Sequence, residues 1–251
     1  MRDLTTILAG ALGGALLSIV IIFMAAANGM LPMPAGAISG DAIHDYLLAH
    51  PTILSEMNDK AQAQAQADQD KAAAAAMKKI GLNAFFDTKI AFVTGPADAK
   101  KSVVEFYDYN CPYCRESLPA MEKFYEQHKG DTRFSFIEFP IKGPDSIVAA
   151  KVALAARNQP DKYLALHFTL MAETQPVNAQ ILMQDAQKAG LDLTKLKADM
   201  EKPEINAAID ASHDLAKKAG IDGTPTFIVN GVMHPGAVDD ATLADLAAKE
   251  S

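Results

Sequence analysis

No Lys/Arg-rich block occurs anywhere in this 251-residue chain, whose 31 acidic residues outnumber its 23 basic ones for a formal net charge of −8. Phosphate binding needs a clustered positive surface, so nucleic acid is not expected as a partner. Cysteine is equally scarce, with Cys111 and Cys114 the only two. The six histidines, His44, His50, His128, His167, His213 and His234, form no pair at ligand spacing, and there is no second CxxC. A tetrahedral structural zinc site needs four ligands, which this pattern does not supply. No metal site is expected, and a lone histidine on a helix reads as a surface or core residue. Nor is the cysteine pair a good staple: in the chain-entropy model so short a loop yields roughly 2 kcal/mol, against about 3 for a 15-residue loop.

Charge is also missing from Leu4 to Ala27, an uninterrupted run rich in Leu, Ile and Ala. It is long enough to span a bilayer, and longer than the usual core of a cleaved signal. Residues 1–27 therefore read as a membrane anchor. The competing reading is a signal peptide, with the small residues Ala25, Ala26 and Ala27 near a cleavage point. Arg2 places the start in the cytoplasm and the remainder outside, although Asp3 sits beside it. Gly10 and Gly14 make a GxxxG spacing, a weak signal because glycine is common in membrane helices.

An apolar content of 49% suits one main domain with an appendage. Residues 28–40 form a Pro/Gly linker, irregular because each proline removes a donor and disfavours helix before it. A capping acid at Asp41, with Ile43, Leu47 and Leu48, then predicts an amphipathic helix ending near Pro51. From Thr52 to Ile80 there is neither Gly nor Pro, and the composition is strongly helix-forming. The seam Leu54, Met57, Ala61, Ala65, Ala72, Ala76 is thin and Asp68 interrupts it. A solvated linker helix and an oligomerising stalk over 41–85 are both consistent with it.

The remaining segment, 86–251, has its own pattern. Ala91–Thr94, Ser102–Tyr109 and Arg133–Phe139 read as strands, with a helix from Pro112 to His128 between the last two, a βαβ unit. A helical stretch over about 145–219, broken at Pro160, Pro176 and Pro203, precedes a strand at Thr226–Asn230. Asn230-Gly231 signals a hairpin into Val232–His234, and a last helix runs from Asp239 or Asp240 to Ala248. This order predicts an α/β protein: a thioredoxin-like sheet carrying a helical insertion.

Cys111-Pro-Tyr-Cys114 falls where a strand gives way to a helix. A thiolate there is stabilised by unpaired backbone N–H groups and the helix dipole, so Cys111 is expected to have a lowered pKa and to attack disulfides. Pro112 suits the first helical position, where its missing N–H costs nothing. Cys114, one turn inside, is expected to be shielded and to resolve the mixed disulfide. Glu105 lies in a strand expected to be covered on both faces, where burial raises a carboxyl pKa; it could then shuttle a proton for Cys114. The plainer alternative is a strand-end glutamate reaching solvent. No cofactor beyond the Cys111–Cys114 disulfide is called for.

Val104-Glu-Phe-Tyr-Asp-Tyr-Asn-Cys-Pro-Tyr-Cys114 and Gly223-Thr-Pro-Thr-Phe-Ile-Val-Asn-Gly231, with the helical block between them, resemble the DsbA-like branch of the thioredoxin superfamily. The likeness covers about 91–251. It implies that Pro225 is a cis-proline beside the cysteines and that the backbone of Thr224 pairs with an extended substrate segment. It further implies exported thiol or disulfide proteins as clients, a membrane redox protein as partner and a periplasmic or envelope location. DsbA has Pro-His between its cysteines; Tyr113 in place of that His implies weaker thiolate stabilisation and a milder oxidant. Thr224 before the proline is more like the disulfide isomerases. Ile43 to Met57 is similar to the N-terminal segment of the ScsC family, suppressors of copper sensitivity, some of which trimerise there and isomerise disulfides. That resemblance implies a homo-oligomeric isomerase or reductase. A monomeric dithiol oxidase stays open, as does a copper or soft-metal binder using the two thiolates.

Overall fold

Strand β2 (Lys101–Tyr107) is buried from its second residue onward, because it lies in the middle of a five-stranded mixed sheet. The computed structural model describes residues 39–249, so the apolar run 4–27 and most of the linker lie outside the described residues. No helix of the described residues is long and apolar enough to cross a membrane.

The chain divides into two compact units, one up to Gln64 and one from Ala65. The first holds α1 (Gly40–Ala49) and the start of α2 (Thr52–Ile80). Ser39 caps α1, its Oγ accepting from the Ala42 amide at 3.1 Å. None of its described side chains is buried; Ile43, Tyr46, Leu47, Leu48, Leu54 and Met57 are exposed apolar groups.

In the second unit the strands are β1 (Ala91–Thr94), β2, β3 (Thr132–Glu138), β4 (Thr226–Val229) and β5 (Val232–Pro235), in the order β1-β3-β2-β4-β5. The β2–β3 pair is parallel, joined by α3 (Pro112–His128); the other pairs are antiparallel. Both faces are covered. Side chains alternate along a strand, so Val104 and Phe106 point into a core with Phe85, Ile137, Leu215 and Ile228, while Val103 and Tyr107 point into a larger one holding both cysteines. Glu105 shares the parity of Val103 and Tyr107. The carboxyl is therefore on the cysteine side of the sheet.

The expected helical block is five helices: α4 (Pro144–Ala156), α5 (Pro160–Met171), α6 (Ala179–Lys188), α7 (Leu193–Met200) and α8 (Pro203–Ala219). Pro160 and Pro203 are starts, each in the first turn, where a proline loses no hydrogen bond. The division between α6 and α7 carries no proline; Asp192 caps α7 by accepting from the Thr194 and Lys195 amides. The predicted hairpin forms, with Asn230 at φ 49° and Gly231 at φ 83°, the left-handed pair such a tight turn requires. The closing helix is α9 (Asp240–Ala248).

Candidate active site

The turn after β2 delivers the cysteines. Asp108 is buried; one carboxylate oxygen accepts from the Asn110 amide at 2.8 Å and the other from the Ile141 and Lys142 amides at 2.7 and 2.9 Å. Its carbonyl accepts from the Cys111 amide at 3.0 Å. Cys111 is the N-cap of α3, in extended conformation (φ −85°, ψ 118°), and Pro112 opens the helix. Pro112 and Tyr113 are exposed, whereas Cys114 faces the core.

Both thiols are free and buried, Cys111 at 0% exposure. The Cys111 thiol donates to the Thr224 carbonyl at 3.1 Å. The Thr224–Pro225 peptide is cis, as the likeness implied. Pro225 is buried and the chain runs directly from it into β4. The Thr224 hydroxyl is buried and makes no hydrogen bond beside the protonated thiol, which leaves its proton available to a thiolate.

The two sulfurs are driven apart in acidity. Cys111 is lowered to about 5, first by the hydrogen bond from the Cys114 thiol, then by the Thr224 side chain and the Cys114 and Tyr113 amides, all against an opposing push from burial. Cys114 is raised far above the ordinary thiol range by burial, by donating to Cys111 and by the Glu105 charge. Glu105 is buried and one of its oxygens has no partner; desolvation pushes it up to about 8. The strand-end glutamate reaching solvent is not what is seen.

A second polar group lies deeper in the same core. Tyr107 donates to the Glu138 carboxylate, Tyr163 stands 2.8 Å from the Tyr107 hydroxyl, and Tyr109 meets His167 Nδ1 at 3.1 Å. Burial holds His167 down at about 3, so this helix histidine is a neutral core residue. Among the described residues no group of three or more His, Cys, Asp or Glu is placed to hold a metal ion.

Three residues of the site were missed in the sequence: Asp108, Asn110 and Arg115. The signal for Asp108 was its place two residues before an asparagine in a turn, where an Asx side chain accepts from the amide two residues on. Nothing local marked its bonds to Ile141 and Lys142. Arg115 donates to the Tyr109 carbonyl at 3.0 Å, a contact invisible without the fold of the turn.

The chain matches a thioredoxin family model over residues 87–247 and a model described as the copper resistance protein ScsC N-terminal domain over 40–68. A thioredoxin-like oxidoreductase from Silicibacter pomeroyi is 39% identical, with TM-score 0.61, covering 66% of this chain and 95% of its own. ScsC of Proteus mirabilis, in a transitional conformation, is 28% identical with TM-score 0.61 and covers 82% of this chain and 91% of its own. Disulfide bond formation protein D of Bacillus subtilis is 30% identical over 170 residues, 63% of this chain and 76% of that protein. Against some other curated relatives the chain spans about a quarter of the length: the match to the Na(+)/H(+) antiporter NhaA 3 of Salinispora tropica, 30% identical over 146 residues, takes in 22% of that protein. A core thiol pair at a helix start, a sheet ordered β1-β3-β2-β4-β5 and these matches lead to one assignment: the chain belongs to the thioredoxin family, among the DsbA- and ScsC-type thiol-disulfide oxidoreductases.

Proposed function

We propose that this chain exchanges disulfides with exported proteins in the cell envelope, as an isomerase or reductase, with Cys111 as nucleophile and Cys114 as resolving thiol. The observation that carries this reading is the pair of free thiols at the start of α3, Cys111 as its N-cap against the Thr224 carbonyl and Cys114 in the core, with opposed acidities. At neutral pH Cys111 is the thiolate and Cys114 keeps its proton, which is the division of labour that two-step exchange needs.

The Cys111 thiolate attacks one sulfur of a client disulfide. A Cys111–client bond forms, the client S–S bond breaks, and the departing client thiolate takes a proton from water. Cys114 then loses its proton to the ionised form of Glu105, about a tenth of the molecules at pH 7 for a carboxyl near 8, and attacks the Cys111 sulfur. The mixed disulfide breaks, Cys111 and Cys114 are oxidised to a disulfide, and the client leaves reduced by two electrons. If the client's own thiolate attacks first, the client is isomerised and Cys111 is returned unchanged. A partner that reduces the Cys111–Cys114 disulfide, expected to be a membrane redox protein, resets the reductase cycle. Thr224 and Pro225 line the approach to Cys111, and an extended client segment pairs with the Thr224 backbone beside it.

The runner-up, a dithiol oxidase, has a specific observation in its favour. Tyr113 in place of histidine implied a poorly stabilised thiolate, yet Cys111 reaches about 5 through Cys114, Thr224 and backbone donors. A stable thiolate is a good leaving group and makes the disulfide form more oxidising. Refolding assays separate the two. Scrambled ribonuclease incubated with the reduced protein in glutathione buffer is expected to regain activity, and Cys111→Ser to abolish that gain. Rapid oxidation of reduced ribonuclease without rescue of the scrambled form would assign the oxidase instead.

A further inference from the structure

The segment 172–178 joins α5 to α6 inside the helical insertion, distant in sequence from Cys111, yet it is bonded to the residue just before it. The Asn110 side chain faces Val177 as one strand faces another: Oδ1 accepts from the Val177 amide at 2.8 Å and Nδ2 donates to the Val177 carbonyl at 3.4 Å. Arg115, in the first turns of α3, adds to the same group. Its Nη2 donates to Asn110 Oδ1 at 3.4 Å while its Nε donates to the Tyr109 carbonyl. Two donors on Oδ1 fix the orientation of the amide. The segment is held at its far end too: Val177 is buried in the cysteine-side core and Asn178 caps α6. Between these anchors Thr174, Gln175 and Pro176 are exposed on the surface.

Arg115 is half-buried, and the loss of hydration that disfavours its charge is opposed by Glu173 from the segment itself, Asp108 from the turn and the Cys111 thiolate. It is the cation of this turn. A surface arginine with no task gains little by giving up part of its hydration, whereas here the guanidinium bonds backbone and side chain of the two residues preceding the nucleophile.

We propose that Asn110 and Arg115 are positioning residues for disulfide exchange: they clasp the 172–178 strap of the insertion to the turn that presents Cys111, and so keep a cation on that turn and a fixed wall beside the nucleophile. The proposal rests on the reading of Cys111 as the attacking thiolate. Removing the cation weakens the thiolate; removing the amide frees the strap. The two variants therefore have different signatures, which a merely structural tie would not give.

Cys111 is titrated in the reduced protein by thiolate absorbance and by its rate of alkylation, in wild type, Arg115→Gln, Arg115→Lys and Asn110→Ala. Arg115→Gln is expected to raise the Cys111 pKa, so that alkylation at about pH 5 slows by roughly five- to tenfold. Arg115→Lys, which keeps the charge, is expected to titrate close to wild type. Asn110→Ala is expected to speed hydrogen exchange at the Val177 amide by at least about tenfold, since that amide loses its acceptor. A wild-type titration for Arg115→Gln, an equal impairment in Arg115→Lys, or unchanged Val177 exchange in Asn110→Ala would each overturn the clasp. Absence of any acidic thiolate at Cys111 in the wild-type protein would instead overturn the active-site reading beneath it.

Discussion

Glu105 shows how a single residue carries opposite consequences for stability and chemistry. Its carboxyl is moved from the usual 4.5 to about 8 by desolvation. Between those values the folded protein keeps a proton that the unfolded chain has released, so stability falls as pH rises through that window and the full penalty stands above pH 8. At about 1.4 kcal/mol per tenfold change in acidity, the penalty is of order 3 kcal/mol at pH 7 and about 5 above pH 8. Glu105→Gln is therefore expected to be more stable than wild type by a few kcal/mol at pH 8 and nearly unchanged at pH 4, read by urea unfolding at both. The same variant is expected to slow release of product from the mixed disulfide, because Cys114 loses its nearby proton acceptor; a stopped-flow resolution rate equal to wild type would remove Glu105 from the mechanism. Val103-Val-Glu-Phe-Tyr107 made the raised pKa legible, since a carboxyl inside an apolar strand run is costly anywhere in a central strand. Asn110 was not legible, because its partner Val177 is 67 positions away.

At the scale of elements, prolines and glycines did most of the local punctuation. The break between α6 and α7 escaped notice because an aspartate cap and Gly190 made it, and the apolar spacing runs on through. Gly95, after β1, is a different case. Its φ is +86°, and a Cβ there would sit 2.1 Å from the Thr132 carbonyl oxygen, which opens β3. Backbone cannot yield as a side-chain tip does. Gly95→Ala is expected to cost roughly 2 to 4 kcal/mol, combining left-handed strain with a displaced strand end. A lowered urea midpoint with unchanged slope would show it; a midpoint equal to wild type would mean β1 rearranges freely. Asn230 was read as a turn residue and is more than that. Its Oδ1 accepts from the Ser102 amide and its Nδ2 donates to the Ala247 and Lys249 carbonyls, tying the hairpin to the start of β2 and the end of α9.

At the scale of the whole molecule, the exposed apolar groups of the first unit bear on assembly. The first unit leaves Ile43 at 49%, Leu48 at 69%, Leu54 at 75% and Met57 at 60% exposure, and the ScsC N-terminal model matches over 40–68. We propose that these groups are covered by other copies of the chain, which would present several active sites to one client. Sedimentation equilibrium of the purified protein is expected to show an oligomer at micromolar concentration, and Leu48→Glu with Leu54→Glu to return it to monomer. A wild-type monomer would leave the helix as a spacer and remove the assembly argument for isomerisation.

The sequence by itself determined the strands, most of the helices, the α/β class and the pair of thiols at a helix start, because these depend on local periodicity, turn chemistry and four adjacent residues. It favoured a buried Glu105, since a continuous apolar strand has no wet face, and the sheet decided against the solvent-reaching alternative. Only the tertiary structure decided what is added to the local contrast between the two sulfurs: burial in the core, the Thr224 side chain acting on Cys111, and the Glu105 carboxyl acting on Cys114. Electrostatic attraction and hydrogen bonding act over a few ångströms of space whatever the separation along the chain, and only the folded sheet puts residues 105, 111 and 224 within that range.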